Sequence, residues 1–299
     1  MKVYLGYTRE ELDRQYEHRH TVPDADEFIS AHRAASERVR ATADGRFDVS
    51  YGPGEDELLD IYFAKGKRPA PMVVFFHGGR WAMGSKASNC EAAEMYTAKG
   101  LNFVSVNYSL LPRVTLDVLI RQCRGAVAWL WRRAGEFDAD RDRIFVHGKS
   151  AGAHIAAMVA VTSWGADYGL PADVVKGGLL VSGMYDLEPV RLTFRNEWLR
   201  LDEIGALRNS PIHLVPPDGC DLVVGVGSRE TEEFRRQPRA FAAAWRAKGL
   251  SCRFVEMEGY HHFSINDAMN EATSALVSPF LEMIASTQGE RAREPAGSA

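Results

Sequence analysis

Short apolar runs recur along the chain: MVVFFH from Met72, NFVSVNY from Asn102, RIFVHG from Arg143, GGLLVSG from Gly177, DLVVGVG from Asp221 and CRFVEM from Cys252. Runs of this length, bounded by turn residues, predict strands covered on both faces. The segments between them predict helices near 89–99, over 115–134, from Ser150 onward, around 235–248 and over 266–284. Strand-then-helix order repeated in this way predicts an α/β fold with a doubly wound, mostly parallel sheet. Two earlier strands, FDVSYG from Phe47 and ELLDIYF from Glu57, flank a Gly52-Pro53-Gly54 turn.

The ends of the chain read differently. Residues 1–42 predict a helical preface in two pieces. Thr8-Arg9-Glu10-Glu11 fits a capping box, with Leu12 and Tyr16 behind it. After a break at Val22-Pro23-Asp24, apolar Phe28, Ile29 and Val39 are spaced for one helical face. Residues 184–218 are irregular and punctuated by proline, which suggests a cap or lid. The tail, 289–299, is polar with Pro and Gly and is expected to be disordered. Residues 1–288 then form a single domain.

Composition narrows the function. The chain has 299 residues, 45% hydrophobic and 25% charged, with net charge -4. That is enough apolar mass for one large core, and the mild negative charge gives no reason to expect nucleic acid or an anionic membrane. Cys90, Cys123, Cys220 and Cys252 lie far apart without a CxxC pair, so neither a metal nor a redox role is expected. With no apolar leader and no run of about eighteen apolar residues, a cytoplasmic protein is expected.

The chemistry lies in four places. Gly148-Lys149-Ser150-Ala151-Gly152 matches G-x-S-x-G between a predicted strand and a predicted helix, the setting in which a serine becomes a nucleophile. His77-Gly78-Gly79-Arg80-Trp81 follows an early strand. Its two glycines let backbone N–H groups of Gly78 and Gly79 approach a developing oxyanion, with the N–H of Ala151 as a further donor. His77 is expected to brace this loop. Tyr260-His261-His262-Phe263 follows the last strand, where a general base belongs in Ser…acid…His order, although the residues alone leave two histidines open. The acid should follow DLVVGVG, and Glu230 comes first beyond that strand, ahead of Glu232 and Glu233, which read as a solvated helix start. The other histidines read as structural or surface groups, including His18 and His20, two apart on a predicted helix. No Walker loop, no GxGxxG after a strand and no HExxH is present, and no cofactor is required.

These residues resemble the α/β-hydrolase superfamily, and more narrowly the kynurenine formamidase (arylformamidase) group. The marks are HGGRW from His77, SAGAHIAAM from Ser150, VSGMYDLEPVR from Val181, ETEEFRRQ from Glu230 and HHF from His261. The resemblance implies Ser150 as nucleophile and His262 as base. It places Glu230 where the family typically has Asp, and Lys149 where the family commonly has His. Lys149 either contacts an anionic substrate or is a solvent-facing or ion-paired side chain. Trp81, Tyr185, Phe194 and Trp198 either line an aromatic pocket or belong to the core. The implied activity is removal of a short, formyl-like acyl group from an aryl amide or ester through an acyl-enzyme, with a small molecule as partner and a homodimer as a compatible assembly. A general carboxylesterase and a non-catalytic small-molecule receptor of the same fold are the rival expectations.

Overall fold

The computed structural model describes residues 1–291. A small hairpin, β1 (Lys2–Tyr4) and β2 (Tyr7–Thr8), precedes three helices, α1 (Arg9–Gln15), α2 (His18–Thr21) and α3 (Ala25–Thr42). The capping box at Thr8 and Glu11 is formed in full. The strand pattern then runs β3 (Gly45–Ser50), β4 (Leu58–Tyr62), β5 (Ala70–Phe76), α4 (Ala93–Ala98), β6 (Asn102–Val106), α5 (Leu116–Arg133), β7 (Ala139–Lys149), α6 (Ala151–Ala160), α7 (Trp164–Tyr168) and β8 (Val175–Val181). It closes with α8 (Glu188–Arg191), α9 (Asn196–Leu199), α10 (Glu203–Arg208), β9 (Asp221–Gly227), α11 (Glu232–Ala247), β10 (Cys252–Met257), α12 (Ile265–Met269) and α13 (Val277–Arg291).

Eight strands form one sheet in the order β10-β9-β8-β7-β5-β6-β4-β3. The pairs from β10 through β5 to β6 are parallel, while β4 pairs antiparallel with both β6 and β3. Residues of β5 are buried throughout, as a strand covered on both faces requires. One apolar cluster, with Leu119, Ile155 and Phe241, fills one face of the sheet; another, with Tyr96, Phe145 and Phe280, fills the other. This is the doubly wound, mostly parallel α/β arrangement expected from the strand–helix alternation.

Four expectations are revised by the structure. The last helix is two, α12 and α13, because Ser274 Oγ accepts the Val277 N–H at 3.1 Å and starts a new helix. Ile29 is exposed rather than on the buried face of α3, which is formed by Ala25, Ser36 and Val39. The segment 184–218 is irregular in path yet carries the short helices α8, α9 and α10. It is pinned to the helical preface by Phe194 N–H on Asp13 Oδ1 at 2.7 Å and to the loop after β5 by Trp198 Nε1–H on the Arg80 carbonyl at 3.0 Å. Helix α13 continues to Arg291, past the expected start of the tail; residues 292–299 lie outside the described residues.

Candidate active site

Five consecutive neighbours in the sheet deliver the site from their C-terminal ends, where open α/β sheets bind ligands. Ser150 sits between β7 and α6 with φ 57° and ψ -122°, a backbone conformation costly for a residue with a side chain. Its neighbours explain how the turn fits. A Cβ on Gly148 would lie 2.1 Å from the Gly152 carbonyl oxygen, and one on Gly152 would lie 1.9 Å from that of Phe76. Strand and helix therefore cross with room only for glycine on either side of the serine. The Ser150 N–H is held by the Val181 carbonyl at 2.9 Å.

The turn after β10 brings His262 to this serine. His262 Nε2 stands 3.2 Å from Ser150 Oγ, and Nδ1 stands 2.6 Å from Glu230 Oε2. Glu230, just beyond β9, is buried and accepts on Oε1 from Ser182 Oγ at 2.5 Å and from the Gly227 N–H at 2.9 Å. An Nδ1–H donated to the carboxylate leaves the Nε2 lone pair facing the serine hydroxyl. Burial holds His262 well below 6.5, helped by the positive charges of Lys149, Arg195 and Arg80, so its imidazole is neutral at pH 7. Burial also raises the Glu230 carboxyl, opposed by His18, by its hydrogen bonds from Ser182 and Gly227, and by Lys149.

The loop after β5 lies across from Ser150. A Cβ on Gly78 would come 3.0 Å from the Lys149 carbonyl and 3.4 Å from Ser150 Cβ, a tight fit that glycine relieves. Gly79 has φ +116°, and a side chain there would meet the Met83 carbonyl at 2.1 Å. His77 braces the loop as expected: its ring stacks on Tyr108 at 4.3 Å, its Nδ1 lies 2.7 Å from the Gly78 carbonyl, and Tyr108 Oη–H donates to the His77 carbonyl at 2.6 Å. Ala151 opens α6, so its N–H belongs to the helix-end donors that have no partner within the helix.

A cavity of about 380 Å³ opens over this group, lined by Gly78, Gly79, Lys149, Ser150, His262 and Phe263 among others. Lys149 is thus in the pocket, its Nζ 5.8 Å from the Phe263 ring centroid. Among the described residues it has no ion-pair partner within 4.0 Å, which sets aside the ion-paired alternative, and it is half-buried, facing the cavity. Trp81 and Tyr185 do not line the pocket. Trp81 is fully buried, donating Nε1–H to His154 Nδ1 at 3.2 Å, and Tyr185 stacks on Phe241 at 4.4 Å. Phe194 and Trp198 pack against the core beside them. Glu233, expected to be solvated, is buried and accepts from Tyr16 Oη at 3.0 Å while pairing with Arg236 at 2.7 Å.

The sequence reading missed the helical preface as a wall of the site. His18 lies in the pocket lining, its ring stacked 4.2 Å from that of His262 and its Nε2 3.9 Å from Glu230 Oε2. Arg195, also in the lining, is buried and donates to the Tyr16 carbonyl. Ser182, held at φ 54°, fixes the Glu230 carboxylate. The motif VSGMYDLEP marked its neighbourhood, but nothing local in the sequence marked His18. His18, Glu230 and His262 offer ligand atoms within 4.8 Å of one another, the one such triplet among the described residues. Both Glu230 oxygens already accept hydrogen bonds, so a metal there would compete with the contacts that orient His262.

The comparisons with known proteins agree with this geometry. The BD-FAE family model matches residues 59–170, from β4 to the loop before β8. The kynurenine formamidase of Danio rerio is 34% identical over 296 residues, covering 95% of this chain and 99% of the relative. Esterase LipQ of Mycobacterium tuberculosis is 30% identical over 239 residues, covering 72% of this chain and 56% of the relative. A solved structure of a candidate thioesterase from Silicibacter sp. TM1040 superposes with a TM-score of 0.78 at 26% identity, covering 90% of this chain and 98% of that one. No helix among the described residues is long and apolar enough to cross a membrane. With its fold, its strand-end site and a full-length relative all in agreement, this chain is an α/β-hydrolase enzyme and belongs to the kynurenine formamidase family.

Proposed function

We propose that the chain deformylates N-formylkynurenine or a close aryl formamide, with Ser150 as nucleophile, His262 as base and Glu230 as the acid that orients it. The reading is carried by the continuous contact from Ser150 Oγ through His262 to Glu230 at 3.2 and 2.6 Å. As Oγ bonds to the formyl carbon, its proton passes to His262 Nε2, and the carbonyl electrons move onto oxygen. The N–H groups of Gly78, Gly79 and Ala151 receive that oxyanion. Collapse breaks the C–N bond, and His262 returns its proton to the departing aryl amine. Water, deprotonated by the same imidazole, then attacks the formyl-serine and releases formate and free Ser150.

The substrate follows the activity for which the Danio rerio relative is named, carried here as a proposal. Aryl ester cleavage is the second reading, favoured by the Mycobacterium tuberculosis esterase, since the same machinery serves both bonds. Turnover of N-formylkynurenine against p-nitrophenyl acetate separates them: comparable kcat/KM or an amide preference supports deformylation, and turnover of the ester alone overturns it. We further infer a cytoplasmic enzyme acting on a small molecule, without nucleic acid or membrane. Its four free cysteines suit a reducing compartment. A homodimer is the assembly to test, by light scattering.

A further inference from the structure

Lys149 is the pocket cation next to the nucleophile, and among the described residues the fold leaves its charge without an ion-pair partner. It ends β7, one residue before Ser150, and lines the cavity beside Phe263. Three carboxylates act on it from a distance, Glu230, Glu91 and Asp267. Each is already engaged. Glu230 accepts from Ser182, Gly227 and His262. Glu91 accepts from Ser36 Oγ at 2.7 Å and faces His32 at 3.5 Å, and Asp267 is exposed and faces the same His32 at 3.4 Å. None comes within 4.0 Å of Lys149 Nζ, which makes no hydrogen bond among the described residues.

Burial pushes the Lys149 ammonium down to about 8, so at neutral pH it remains mostly charged. The rest of the lining adds to its field. Arg33, Arg80 and Arg195 also face the cavity, with Glu91 as the one acidic side chain of the lining. Of these cations Arg80 is neutralised locally, by Glu17 at 3.3 Å. A half-buried ammonium on a flexible stem, facing the cavity with three donors and no contact acceptor, is suited to an oxyanion brought in by a ligand.

We propose that Lys149 is the residue that selects substrates bearing a carboxylate on the aryl portion, by receiving that carboxylate beside the reacting serine. The inference rests on the hydrolase reading above.

The test compares the acetoxybenzoates with the corresponding acetoxybenzamides, which differ in charge at one group, using the ring isomer that the unsubstituted protein cleaves fastest. The readout is the ratio of kcat/KM for acid over amide, so that a change in folded fraction cancels. The unsubstituted protein should favour the acid. K149M should reduce the ratio at least about tenfold, the scale of one charged hydrogen bond, K149E should reduce it further, and K149R should keep it within about threefold. A ratio that stays within about twofold in both K149M and K149E overturns the proposal while leaving the hydrolase reading intact. If the unsubstituted protein cleaves neither ester, the same ratio is read on the formamidobenzoates against the formamidobenzamides, and failure on these too overturns the hydrolase reading, and the role of Lys149 with it.

Discussion

The imidazoles of His18 and His262 lie face to face, their centroids 4.2 Å apart and their planes 21° from parallel. Phe234 packs beside the stack, in edge contact with His18 at 4.1 Å and with His262 at 5.0 Å. The helical preface therefore holds the base in place from behind, across 244 residues of chain. His18→Ala removes that support, and the resulting freedom of His262 should lower kcat/KM about 10- to 100-fold with KM little changed. His18→Phe, which restores a flat ring, should recover most of the loss. Equal losses in both variants would show that stacking is not what His18 supplies.

Glu230 holds His262 through one hydrogen bond and is itself held by Ser182 and Gly227. Glu230→Gln keeps the shape but offers an amide to Nδ1, favouring the wrong tautomer. A fall in kcat of roughly 10³- to 10⁴-fold is expected. Glu230→Asp shortens the side chain while keeping its charge, and should retain more activity than the glutamine variant. Steady-state kinetics on both variants provide the check.

The elbow around Ser150 has no spare volume. Gly152→Ala would drive a methyl group to 1.9 Å from the Phe76 carbonyl, a backbone atom of the central strand β5. At least about 3 kcal/mol of destabilisation is expected, the top of the usual overpacking range. The thermal midpoint of the purified variant measures it. Gly125→Ala on α5, where a Cβ meets nothing within 4 Å, should be neutral or slightly stabilising.

Buried neutral histidines make the fold sensitive to acid. Burial pushes His77, His147 and His154 each down to about 4, against about 6.5 in an unfolded chain. His154 illustrates why: Nε2–H donates to the Asn209 carbonyl at 2.7 Å and Nδ1 accepts from Trp81, so the neutral form is required. The unfolded chain binds these protons first, so stability is complete above about pH 6.5 and is lost as the pH falls toward 4. Each histidine contributes up to about 3 kcal/mol to that loss. Urea unfolding midpoints at pH 7.5, 5.5 and 4.5 should fall in that order. A midpoint independent of pH would contradict the protonation states inferred here.

Much of this was legible in the chain because its causes are local. Apolar runs at Met72, Asn102, Arg143, Gly177, Asp221 and Cys252 became the six parallel-paired strands, with ends shifted by a few residues, most at β7, which starts at Ala139 to pair with Ala70. Ser150 and Gly78-Gly79 were readable because tight turns and close backbone approach demand particular residues. Glu230 was readable from its place after β9. His18 was not, since its contacts with His262 and Glu230 arise only when the preface folds over the sheet edge. Trp81 and Tyr185 stayed undecided between pocket and core for a related reason. Aromatic residues near a site in sequence can turn either way, and these two turn into the core, where His154 and Phe241 receive them.

The central claim is that Ser150 forms the covalent bond, and the most direct measurement is formate release from N-formylkynurenine by Ser150→Ala beside the unsubstituted enzyme. The account predicts a loss in kcat of at least about 10⁴-fold with an unchanged thermal midpoint. Undiminished formate release by the alanine variant would contradict it.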